Sequence, residues 1–262
     1  MATSSITHNF VVSNPNSVKR FVAAIDEADR DRTPKQTLPG RQLTNPQEIL
    51  ALMYKKERKN MSDKYFTVNI RAYLDKDEPT YIGEESLYDL LSDFSCPKNP
   101  DVEYFLLHNA IEFTKKDQSI TYLVFDAEDA SLVGYFSLTV KPISVRASNI
   151  SKTTAKKLSR VSILDEETQS YTTAAYLIAQ LGKNYSLPKE KRIPGNILLG
   201  FALETISSLK YSVGGVMEFL ECEDNEFLLS FYTQNHFKPF DTRITASQNN
   251  ESHTLHQLLK FI

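Results

Sequence analysis

Tyr171-Thr-Thr-Ala-Ala-Tyr-Leu-Ile-Ala-Gln-Leu-Gly-Lys183, followed after a polar loop by Gly195-Asn-Ile-Leu-Leu-Gly-Phe-Ala-Leu203, carries the clearest structural signal in the chain. The run at 174–178 is apolar at every position, which predicts a strand over 171–181 buried on both faces and central in its sheet. Apolar spacing over 196–209 predicts an amphipathic helix. Strand, loop and helix start in this order bring unpaired helix amides and the positive end of the helix dipole to the mouth of the loop. That arrangement suits a phosphate. No G-x-x-x-x-G-K-[ST] and no G-x-G-x-x-G occurs, so the Walker and dinucleotide fingerprints are excluded. On periodicity alone an ordinary strand-to-helix loop stays open.

Outward from this segment, 65–74 alternates as a first strand, and helical spacing covers 84–94 and 101–113, the latter with Val102, Phe105, Leu106, Ala110 and Phe113 as its apolar stripe. Strands at 120–126 and 132–140 form a hairpin through the acidic turn 127–131. A weak helix is expected around 151–160, a strand over 213–222, a helix over 225–234, and closing strands at 237–240 and 256–262. The order predicts a mixed α/β sheet with antiparallel opening strands.

Residues 1–60 read as a separate basic helical appendage ahead of a domain at 61–262. Asn14-Pro15 opens one helix with Val18, Phe21, Val22 and Ile25 inward, and 33–43 is a linker. Asn45-Pro46 opens a second, which ends in Lys55, Lys56, Arg58 and Lys59. These helices hold too few apolar residues for a core of their own, so docking on the larger domain is expected. The net charge of −3 divides accordingly. Residues 1–60 carry ten Lys/Arg against six Asp/Glu, and 61–262 carry twenty against twenty-seven. Within the domain, 130–164 holds Lys141, Arg146, Lys152, Lys156, Lys157 and Arg160 and no acid. Charge separation of this kind points to a partner or to docking in cis; solvated surface variation is the plain alternative. Two cysteines exclude a disulfide framework, no apolar run spans a bilayer, and the N-terminus lacks a signal peptide's features, so a cytoplasmic protein with no membrane partner is expected.

Asn225-Glu-Phe-Leu228-Leu-Ser-Phe231-Tyr232, followed by Phe237, resembles the N-x-x-A-x-x-L-Y…G-F segment of the GNAT superfamily of acyl-CoA N-acyltransferases. The strand before it (217–224) stands where the family's fifth strand is expected, and the run 176–184 with Gly134-Tyr-Phe-Ser-Leu138 more narrowly resembles the GNAT toxins of bacterial toxin–antitoxin pairs. The resemblance implies a GNAT fold: a mixed sheet of six to seven strands, splayed between the fourth and fifth and flanked by helices. It implies acetyl-CoA as acyl donor, with Leu181, Gly182 and Lys183 pairing with the pantetheine arm. Arg192, Gly195, Asn196 and Ile197 match the pyrophosphate loop Q/R-x-x-G-x-G/A, with Ile197 where a small residue is usual and Pro194 lacking an amide. Asn225 is implied to contact CoA, with helix capping as its plain alternative. Tyr232 takes the place of the acid that protonates the departing thiolate. His236 stands for the glycine of the G-F pair and reads as a turn residue. No general base is identified, although Glu221 and Glu223 lie in the neighbourhood.

In the toxin subgroup the acceptor is the amine of an aminoacyl-tRNA, and Lys152, Lys156, Lys157 and Arg160 would hold its phosphates. The N-terminal segment weakly resembles a fused antitoxin that would neutralise the domain in cis, with a structural embellishment as the alternative. A homodimer, an acetyltransferase of small or protein amines, and a catalytically weak regulatory protein also remain open.

Overall fold

The computed structural model describes residues 64–246 and 252–262; the appendage expected over 1–60 lies outside them. β1 (Tyr65–Asn69) pairs antiparallel with β2 (Ile120–Asp126), and β2 with β3 (Leu132–Arg146). The first strand is shorter than the alternation over 65–74 suggests. The Asn69 side chain accepts the Arg71 amide at 3.0 Å, a local bond that turns the chain out of the ladder and into a short helix, α1 (Arg71–Leu74). α2 (Glu84–Ser92) follows. α3 then joins Pro100–Tyr104, a π-segment Phe105–Asn109 and Ala110–Lys115 into one helix, capped by Asn99.

β3 runs past its expected end at residue 140. Beyond Leu138 it has β5 alone as neighbour, so Pro142 lies on an edge, where a missing donor is tolerated. α4 (Lys152–Leu158) and a two-residue β4 (Leu164–Asp165) lead into β5 (Ser170–Lys183). α5 (Gly195–Val213) extends beyond its expected end at 209, so Val213, read as the first residue of a strand, closes its last helical turn. Tyr211 and Val213 are exposed there, and Gly214 at φ 78° ends the helix. β6 (Met217–Glu223), α6 (Glu226–Gln234), β7 (Lys238–Ala246) and β8 (Ser252–Phe261) complete the described chain. The closing strands pair with each other over most of their length, which carries β7 well past residue 240 and starts β8 before residue 256.

The sheet runs β1-β2-β3-β5-β6-β8-β7, with β4 paired to β5 off this path. It has eight strands where six to seven were expected; the small β4 is the addition, and it moves the expected splay to β5 and β6. Those two are the one parallel pair among the described strands. They touch over three positions, Tyr176 to Ile178 against Glu218 to Leu220. This is a mixed α/β sheet with antiparallel opening strands and one parted parallel pair, as the sequence reading expected.

Alternation along each strand sends side chains to two helical layers. Tyr176 and Ile178 of β5 and Leu220 and Cys222 of β6 pack with Leu198, Leu199, Ala202 and Ile206 of α5 and Tyr232 of α6. Burial of each large aliphatic contributes about 1.5–3 kcal/mol, which fixes α5 on this face. On the other face, Leu123, Phe125 and Tyr135 pack with Leu87 and Leu91 of α2 and Phe105 and Leu106 of α3. Alternate residues Ala175, Leu177, Met217 and Phe219 pack with Ala155 and Leu158 of α4.

Candidate acyl-CoA site

β5 continues five residues past Ile178, and β6 continues three past Leu220, without pairing to each other. Leu181, Gly182 and Lys183 therefore pair on one side only, with Phe136, Tyr135 and Gly134 of β3. Their other side faces the opening between β5 and β6, where an extended ligand can add to the ladder. Gly182 also has a packing duty: a Cβ there would lie 2.6 Å from both a Tyr135 ring carbon and Val102 Cγ1. The Tyr135 hydroxyl donates to the Val102 carbonyl at 2.6 Å and ties α3 to the sheet at this point.

The segment after β5 is held by Asn184, a buried residue without an assigned role in the sequence reading. Its Oδ1 accepts the Ser95 and Ser186 amides at 3.1 and 3.0 Å, and its Nδ2 donates to the Leu132 carbonyl at 2.9 Å. Arg192 braces the loop, with Nε donating to the Leu187 carbonyl (2.8 Å) and Nη2 to the Tyr185 carbonyl (3.0 Å). Its guanidinium also lies 5.0 Å from the Tyr185 ring centre. Arg192 thus shapes the loop from within.

α5 begins without a side-chain cap. The Ile197 and Leu198 amides both bond the Pro194 carbonyl, at 3.2 and 3.1 Å, so Ile197 is already engaged. Gly195 and Asn196 are left with amides that meet no acceptor among the described residues, and these are the open donors at this helix start. Two lysines attend them. Lys183 Nζ lies 3.5 Å from where a Cβ on Gly195 would stand. Burial pushes its pKa down, and the charge of Lys98 pushes it the same way. Lys98 itself lies over the Tyr185 ring, 5.3 Å from its centre. No carboxylate pairs with either lysine among the described residues. A half-buried ammonium beside a second cation and a helix N-terminus is electrostatically unfavourable alone, and an anion relieves it. Lys98 carried no signal of its own in the sequence, because it comes from a loop some eighty residues away.

α6 adjoins the same corner: Phe231 Cε2 lies 3.4 Å from the Gly195 Cβ position. Tyr232 packs edge-on against Phe231 and Phe237, with ring centres 5.1 and 6.1 Å apart. Burial, with a smaller push from Cys222, holds its phenol pKa well above the usual value. No hydrogen bond joins the Tyr232 hydroxyl to another described group, and the side chain is buried. Asn225 caps α6, its Oδ1 accepting the Phe227 and Leu228 amides at 2.9 and 3.3 Å. His236 stands at φ 72°, and the Phe237 and His236 amides bond the Tyr232 and Thr233 carbonyls (3.1 and 3.0 Å). This is a Schellman stop, whose left-handed position normally takes glycine.

On the opposite face, Glu221 is locked by Arg243 Nε and Nη2, at 2.7 and 2.5 Å, and by Gln257 at 2.7 Å. Burial raises its pKa, but these bonds outweigh it and the carboxyl ends below its usual range. Glu223 accepts one bond, from Asn99 Nδ2 at 3.1 Å. Lys152, Lys156, Lys157 and Arg160 are exposed on or just after α4, with Lys157 over the Phe261 ring at 5.0 Å from its centre.

No family model matches the sequence, and no curated protein does. Among solved structures, a mutant of the AtaT toxin is 17% identical, covering 76% of this chain and 92% of that one, with a TM-score of 0.47. AtaT complexed with acetyl-methionyl-tRNAfMet is 17% identical over 72% and 93%, with a TM-score of 0.49. A mutant of KacT is 15% identical over 74% and 95%, also at 0.49. The chain is similar to these proteins at that level, and the assignment that follows rests on its own residues.

Proposed function

We propose that this chain is an acetyl-CoA-dependent N-acetyltransferase of the toxin type, acting on a primary amine. The observation that carries the reading is the opening between β5 and β6, with the free edge of Leu181 to Lys183 leading to the open Gly195 and Asn196 amides. Lys183 and Lys98 stand there without carboxylate partners among the described residues. An extended, amide-bearing arm that ends in phosphates matches both parts. The pantetheine lies along Leu181–Lys183, and the pyrophosphate meets the α5 start and the two lysines. Tyr232, neutral at any working pH, donates toward the thioester sulfur as the carbon–sulfur bond breaks.

For the acceptor we propose the amine of an aminoacyl-tRNA. Exposed Lys152, Lys156 and Arg160 present a cationic surface for its phosphates on the sheet face opposite α5. Residues 1–60 are proposed to restrain the domain in cis by virtue of their opposite charge balance. The test is acetyl transfer from labelled acetyl-CoA to aminoacylated tRNA, to a peptide N-terminus and to small polyamines, each assayed with the full chain and with 61–262. Preferential labelling of the charged tRNA supports the reading. Turnover with the small amines alone makes the protein a small-molecule acetyltransferase. No turnover with any amine contradicts the proposal.

A further inference from the structure

We propose that Glu223 is the group that takes the proton from the acceptor amine, an inference that rests on the acetyltransferase reading above. β6 parts from β5 after Leu220, so residues 221–223 border the opening directly. Alternation places Cys222 with Tyr232 on the α5 face, whereas Glu223 shares the face of Phe219, which packs with α4. The acid and the carboxylate thus stand on opposite sides of the strand end where the thioester would lie. An amine attacking from the α4 face meets Glu223, and the sulfur departs toward Tyr232.

Three carboxylates crowd this end of β6, and their partners separate them. Glu221 is neutralised by the Arg243 guanidinium. Asp224 faces His256, 3.0 Å away. Glu223 is held by an uncharged side-chain amide, Asn99 Nδ2, and it lies on the sheet face opposite Asp224. Asn99 Oδ1 caps α3 through the Val102 amide at 3.2 Å, so its amide nitrogen is the end turned to Glu223. That bond orients one carboxylate oxygen, and no cation pairs with it among the described residues. The second oxygen takes no bond from any described residue, and an incoming ammonium can use it.

The protons balance as follows. The ammonium gives one proton to Glu223, which passes it to solvent, and the freed lone pair forms the carbon–nitrogen bond. The nitrogen then sheds a second proton, which replaces the one Tyr232 supplies to the departing sulfur. The products are the amide, CoA thiol and one proton released.

The test compares wild type, Glu223→Gln and Glu223→Asp in the full chain, with the amine class that wild type turns over fastest in the panel above. Rates are read between about pH 6 and about pH 8.5, a range that spans the ordinary α-amino pKa. Glu223→Gln should slow transfer by at least about tenfold at the acid end and by less than about threefold at the alkaline end, where the amine is already free. Glu223→Asp should recover part of the loss. The thermal shift produced by acetyl-CoA should match wild type in both variants. A loss equal at every pH, or no loss, overturns the role of Glu223. Wild type that gives neither a thermal shift nor turnover overturns the acetyltransferase reading and this inference with it.

Discussion

Tyr232 and His236 lie four residues apart, and their two roles differ in kind. Tyr232 is enclosed by Phe231 and Phe237 and keeps its proton through burial, as the proposed proton donor must. Tyr232→Phe should therefore cut acetyl transfer by at least about tenfold while leaving the acetyl-CoA thermal shift in place. Unchanged turnover would remove Tyr232 from the chemistry. His236 occupies a left-handed position for backbone reasons, and a side chain there is strained. His236→Gly should raise stability by about 0.5–1 kcal/mol, seen as a higher urea midpoint with unaltered slope. The sequence reading had His236 as a turn residue in a glycine position, and the Schellman geometry supplies the reason. Glu218 is the residue for which pH is informative. Burial raises its pKa, while Lys260 at 3.0 Å and Lys210 only partly restore it. A raised carboxyl binds its proton more readily in the folded state, so its contribution to stability falls as pH rises from the usual carboxylate range through the raised value. Glu218→Gln should flatten the change in urea midpoint between about pH 5 and about pH 7.5, and an unaltered pH slope would contradict this.

At the scale of elements, β5, the α5 start and α6 meet at one corner, and Lys183 marks it. Lys183→Ala should weaken acetyl-CoA binding about fivefold to tenfold and reduce its salt dependence, with little effect on kcat once the donor saturates. An unchanged affinity would move the phosphates elsewhere. β5, α5 and α6 were legible in the sequence because each carries an uninterrupted apolar period and a recognisable end: Asn225 before α6, Gly195 at the start of α5. The errors fell where a local bond or a partner strand decides. Asn69 turned β1 early, the exposed Tyr211 and Val213 belong to α5, and mutual pairing lengthened β7 and β8. The anion corner was half legible. Gly195, Asn196 and Lys183 lie close in sequence, but Lys98 and the Asn99–Glu223 bond join segments more than eighty residues apart, a distance periodicity does not bridge. Arg192, which the motif placed on the ligand, also braces the loop, because the Leu187 and Tyr185 carbonyls lie within its reach.

For the whole molecule, two faces of one sheet divide the proposed labour. Donor binding falls to the face of α5 and α6, and the acceptor to the face carrying α4, with the parted strands between them. Residues 1–60 carry a charge balance opposite to that of the domain, so their removal should raise acetyl transfer and slow the growth of cells expressing 61–262. Equal rates and equal growth would leave them a structural embellishment. The most direct test of the central claim is a thermal melt of the full chain across an acetyl-CoA titration. A ligand bound to the native state alone stabilises it by about 2.7 kcal/mol at a hundredfold excess over Kd. For a domain of this size that is a rise of about 5–10 °C. The account predicts such a rise, reproduced by CoA and reduced in Lys183→Ala. A melting temperature that stays constant up to millimolar acetyl-CoA would contradict it.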